Sequence, residues 1–189
     1  MSGNEGNGKG WRGNHWRIVG WGTSAIMLFL PLIAMQFTNE VNWDVSDFII
    51  FGAMLVTAGG VFELAARMTP NKAYLAAVGA ALAAAFLLVW VNGAVGLIGS
   101  EENPANLMYG GVLAIGIIGA IIARRQPKGM ARAMVATAVA QVLVPVIALL
   151  AGLSNTSEWG STFVVTGIFF ALWLTSAWLF RKCGQSVTS

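Results

Sequence analysis

Residues 107–123 read LMYGGVLAIGIIGAIIA, and residues 124–132 read RRQPKGMAR. The first stretch carries no charge and is long enough, at 1.5 Å per helical residue, to cross the hydrocarbon core of a bilayer. The second holds Arg124, Arg125, Lys128 and Arg132. An apolar run closed by a short basic loop is the mark of a transmembrane helix whose loop stays in the cytoplasm. Five more stretches share the apolar character. The spans predicted from the sequence are 18–37, 48–66, 73–95, 107–123, 134–153 and 163–180.

The charges between these spans alternate. Lys9, Arg12 and Arg17 precede the first span, Arg67 and Lys72 lie between the second and third, and Arg181 and Lys182 follow the sixth. The other three connections carry no base, only Glu40, Asp44, Asp47, Glu101, Glu102 and Glu158. All eleven Lys and Arg residues therefore fall on one side of the implied topology. The expectation is an all-α, six-helix polytopic membrane bundle with both termini in the cytoplasm. Composition agrees: of 189 residues, 57% are hydrophobic and 10% charged, far from an ordinary soluble domain. The net charge of +3 is spread over four short segments, which speaks for orientation and anionic headgroups rather than nucleic acid.

Three parts are expected: a polar, Gly- and Asn-rich tail over 1–14, disordered by composition; one transmembrane domain over 15–182; and a short tail over 183–189. The basic and then apolar start resembles a signal peptide, but the run is long, contains Pro31 and lacks a small-residue cleavage site. It reads as a retained first helix. Trp11, Trp16 and Trp21 suit a headgroup zone. Ser46 or Asp47 is expected to cap the second helix, and Asn103-Pro104 to start the fourth as cap and first helical residue. Ser157 and Glu158 are placed near the start of the sixth. Small residues four apart, such as Ala76/Ala80/Ala84, and the glycines of the second and fourth helices predict that helices two to four form the packed centre. The bulkier first and sixth helices, with Phe169, Phe170, Trp173 and Trp178, are expected outside, towards lipid or a partner. A faint repeat at an offset of 58 residues aligns 51–55 with 109–113, two hairpins of like direction.

Chemistry is sparse. His15, the only histidine, lies in the polar N-terminal segment, so no bis-histidine haem is built from the spans. Cys183 stands alone in a basic tail and reads as a free thiol. No zinc spacing, phosphate loop or mid-membrane lysine is present, and no cofactor is expected. Glu63 is the only acid within a span. An ion pair with Arg67 at i+4 is its expected role; a proton- or cation-coupled site is the sharper one. Gln141, with Pro145 four residues on, and Thr137 share its cytoplasmic third. Glu63, Thr137 and Gln141 are therefore the candidate polar intramembrane site, open to the cytoplasm, weighed against private hydrogen bonds for each. Gln36 and Asn92, at similar depth, are a candidate interhelical pair.

The stretch 100–111, SEENPANLMYGG, with the following helix and 123–133, ARRQPKGMARA, resembles a group of small bacterial multi-pass membrane proteins described only as hypothetical. The resemblance runs from about Asn42 to Leu153. It implies a bacterial cytoplasmic membrane and no activity. The leading functional expectation is non-enzymatic: a structural or accessory subunit in a homo-oligomer or larger membrane complex, with lipid and other membrane subunits as partners. The alternative is a small transporter or channel around Glu63 and Gln141. An enzyme, or a divalent-cation site at Glu101, Glu102 and Glu158, is the least favoured reading.

Overall fold

The structure, a computed structural model, describes residues 9–38, 42–153 and 159–185, with side chains from Arg17 onward. Among the described residues six α-helices follow in order: α1 Lys9–Phe37, α2 Val45–Met68, α3 Lys72–Ala94, α4 Met108–Ala123, α5 Pro127–Leu150 and α6 Trp159–Gln185. A 3-10 turn, Pro104–Leu107, leads into α4. All six are long and apolar enough to cross a membrane once that turn is counted with α4. The expected spans are met one for one. The ends differ where helices run on into polar sequence: α1 begins at Lys9, inside the stretch expected to be disordered, and α5 begins at Pro127. Residues 1–8, Glu40, Ser157 and Glu158 lie outside the described residues, as do the side chains of Trp11, Arg12, His15 and Trp16.

The chain divides into two compact units, Met1–Leu64 and Ala65–Ser189. In the first, α1 and α2 meet through a few side chains. Trp21 lies over Gly59, where an added Cβ would sit 3.4 Å from the indole. Asp44, not Ser46 or Asp47, is the residue before α2. Its Oδ1 accepts from Asp47 N at 3.0 Å, and Asp47 Oδ2 accepts from Asp44 N at 2.9 Å. This reciprocal box satisfies two N–H groups at once, which a single cap from Ser46 would not.

In the second unit α5 and α6 form the most extensively packed pair, α4 packs on α5, and α3 packs on α6. The α4–α5 seam is made by glycine: a Cβ on Gly119 would fall 2.7 Å from Ala133 Cβ, and one on Gly116 would fall 3.2 Å from Thr137 Oγ1. The α3–α6 seam is set by Ser176 Oγ donating to Ala77 O at 2.8 Å and by Tyr74 edge-on to Phe180 at 5.1 Å. Within the second unit the centre is thus α5 and α6, and α3 and α4, expected at the centre, pack on them. Phe169 and Trp173, expected to face lipid or a partner, are each 3% exposed. Both rings are therefore part of the second unit's own interior. Cys183, expected in a tail, is buried near the end of α6.

The seams also show that neighbouring helices run antiparallel. Lys72, Arg124, Arg125, Lys128, Arg132, Arg181 and Lys182 therefore gather at one end of the second unit. Glu101 and Glu102 stand exposed at the other, in the α3–α4 connection.

Candidate functional site

Three polar arrangements stand out in an otherwise apolar molecule. The first belongs to the first unit. Glu63, with only 12% of its side chain exposed, forms an ion pair with Arg17 and accepts from Trp21 Nε1 at 3.2 Å. Arg17 thus comes from α1, 46 residues away. The sequence suggested Arg67, on the same helix and exposed; no local spacing could have pointed to Arg17, a partner from another helix. Beside the pair lies an open cleft of about 480 Å³, walled by Trp21, Ser24, Gly59 and Phe62.

The second arrangement is the interior of the second unit. Thr137 and Gln141 are both 0% exposed, so this part of the candidate site is enclosed rather than open. Thr137 donates to Ala133 O at 2.9 Å, the i–4 bond usual for a threonine facing no polar neighbour. Gln141 is different: neither Nε2 nor Oε1 has a partner among the described residues. Trp173 Nε1 and the Tyr109 hydroxyl are likewise buried and unpartnered. Tyr109 lies beside Thr166 without reaching hydrogen-bond geometry. Glu63 belongs to the first unit, and Thr137 and Gln141 belong to the second. Sequence reading found Gln141 from its polarity. It placed Trp173 outside, towards lipid or a partner, and gave Tyr109 no polar role.

The third arrangement closes the acidic end of the second unit. Asn106 is 4% exposed and organises the whole α3–α4 connection. Its Oδ1 accepts from Leu97 N at 3.0 Å and Ile98 N at 2.9 Å, and its Nδ2 donates to Ser100 O at 2.7 Å. Asn92 Nδ2 donates to its carbonyl at 3.2 Å, and Asn92 Oδ1 is buried without a partner among the described residues. Gly96 permits the tight path: at φ +71° it passes so close to Ser100 that a Cβ would lie 2.5 Å from that carbonyl. Asn103 caps the 3-10 turn through Ala105 N, as the Asn-Pro pair suggested. Its Nδ2 reaches Leu153 O at 2.8 Å, and Thr162 Oγ1 donates to Leu97 O at 3.0 Å. The α3–α4 and α5–α6 ends are tied together by side chains whose partners are backbone. This is a structural clasp, and Asn106 is the residue that sequence reading missed: a buried Asn in a loop has no spacing to announce it.

Comparisons with protein-family models, with curated proteins and with solved structures find no match for this chain.

Proposed function

We propose that the chain is a non-enzymatic subunit of a bacterial cytoplasmic membrane assembly, either a homo-oligomer or a larger complex, with both termini in the cytoplasm. The observation that carries this reading is the outer face of α4. Gly110, Gly111, Ala114, Ile117, Ile118 and Ile121 recur at helical spacing and are all exposed. Ile117, Ile118 and Ile121 are 62%, 55% and 69% exposed, and nothing lies within 4 Å of a Cβ built on Gly110 or Gly111. Small residues at one end let a second backbone come close, and isoleucines at the other lose little side-chain entropy on packing. Phe169 and Trp173 are consumed by the unit's own core, so the contact surface is assigned to α4 instead of α6. The gathering of bases at one end supports the orientation.

The experiment is cysteine cross-linking in native membranes. With Cys183→Ser as background, Gly111→Cys should form a cross-linked species, to a second copy or a fixed partner. Ala136→Cys, on the exposed side of α5, should not. Equal and negligible cross-linking at both positions would mean that α4 meets only lipid.

A further inference from the structure

The ion pair of the first unit borders an apolar cleft, and the two together suit an amphiphile. The cleft, of about 480 Å³, is lined by Val19, Trp21 and Ser24 of α1 and by Gly59 and Phe62 of α2, with Arg17 and Glu63 as its charged lining. Pockets of roughly 300–1,000 Å³ are usual for small organic ligands. Arg17 opens the α1 span, and Glu63 stands close to Met68, the end of the α2 span. At 1.5 Å per residue Glu63 is ~8 Å from that end. Both charges therefore lie near a membrane surface, whichever side of the membrane that is.

The charges say what the cleft would hold. Glu63 Oε1 is paired with Arg17, and Oε2 accepts from Trp21 Nε1 at 3.2 Å. The Arg17 side chain is 42% exposed, and its one partner among the described residues is Glu63. A guanidinium carries five N–H donors, so Arg17 retains donors for a phosphate, whose oxygens match its fork. Yet its charge is already balanced by Glu63. A ligand with a phosphate alone would set a negative charge beside the carboxylate. A ligand with an ammonium alone would set a positive charge beside the guanidinium. A ligand that carries both, a few bonds apart, meets each with its opposite. We infer that the first unit binds a zwitterionic aminophospholipid, with its phosphate on Arg17, its primary ammonium on Glu63 and an acyl chain along Val19, Trp21 and Phe62. The site uses no residue of the α4 outer face, so it stands apart from the subunit reading.

The test is native mass spectrometry of the full chain in detergent, titrated with dioleoyl phosphatidylethanolamine, phosphatidylglycerol or phosphatidylcholine. The parent should retain one phosphatidylethanolamine per chain in preference to the other two. Phosphatidylcholine keeps both charges, but its methylated ammonium has no N–H to donate and should bind more weakly. Glu63→Gln should weaken phosphatidylethanolamine about tenfold, the worth of one hydrogen bond to a charged group. It should also turn the preference to phosphatidylglycerol, because Arg17 is then unbalanced. Ser24→Leu narrows the cleft and leaves the ion pair in place, since Ser24 Oγ bonds to Gly20 O of its own helix at 3.1 Å. It should weaken retention of phosphatidylethanolamine without reversing the preference. Glycerophosphoethanolamine, the same headgroup without acyl chains, should not be retained. Equal retention of the three lipids by the parent, phosphatidylethanolamine retention that neither substitution alters, or a bare headgroup held as tightly as the lipid would each overturn the inference.

Discussion

At the scale of single residues, the molecule rests on a few polar side chains that bond to backbone. Asn106 is the clearest. Asn106→Ala would strand the Leu97 and Ile98 N–H groups in a buried turn, at about 1–3 kcal/mol for each donor left unsatisfied. The expected result is a loss of roughly 2–5 kcal/mol in the stability of the second unit, read from thermal or denaturant unfolding in mild detergent. Asn106→Asp keeps both acceptors but loses the donor to Ser100, and should fall between the two proteins. A variant as stable as the parent would show that water replaces the clasp without cost. None of this was legible beforehand. A lone Asn between Ala105 and Leu107 looks like any loop residue until the chain closes around it. Glu63 makes the complementary case. Its unusual place inside a span was readable, but its partner was not, because Arg17 reaches it only through the pairing of α1 with α2.

At the scale of elements, helix ends and seams obey local rules with measurable consequences. The Asp44 carboxylate accepts the Asp47 N–H and is helped by the Ser46 hydroxyl, which together hold its pKa below the ordinary carboxylate value. Its contribution to the start of α2 is therefore complete above the ordinary value. It is lost as pH falls through the lowered, folded-state one. Amide exchange in the first turn of α2 should quicken as the solution is acidified into that range, and Asp44→Asn should flatten the dependence. An unchanged profile in Asp44→Asn would mean that the turn is held by other bonds. The α4–α5 seam gives a second prediction. Gly119→Ala places a methyl 2.7 Å from Ala133 Cβ, so the two helices must part. Overpacking of this kind costs about 1–3 kcal/mol. Gly167→Ala in α6 has nothing within 4 Å and serves as the control; it should lose no stability. Equal midpoints for the two variants would show that the seam yields freely. The turn after α4 is tighter than the sequence suggested: Arg124 and Arg125 both take left-handed backbone, at φ 44° and 66°. Two consecutive non-glycine residues in that region are uncommon. They let the chain reverse in three residues, so that Gly129 comes against Ala123.

At the scale of the whole molecule, the alternation of basic and acidic connections sets the topology that we propose. Reporter fusions after Lys72 and after Lys128 should both read cytoplasmic. An external reading at either position would overturn the six-helix orientation. The number of helices and most of their limits followed from the sequence alone. A bilayer-length apolar stretch satisfies its own backbone as a helix whatever surrounds it, so each span is a local decision. The acidic or capping residues at helix starts were local as well, which explains why Asn103-Pro104 was read correctly and α2 missed by only two or three positions. What tertiary structure alone decided was which faces meet. In a membrane, lipid is as apolar as a neighbouring helix, so hydrophobic pattern does not separate an inward face from an outward one. The sequence therefore pointed to small residues as the centre, whereas in the second unit packing buried Phe169 and Trp173 and made α5 and α6 the core. Folding also joined Arg17 to Glu63, wrapped a loop around Asn106 and buried Gln141. Each of those meetings spans helices distant in the chain, and no periodicity within one helix encodes a partner in another.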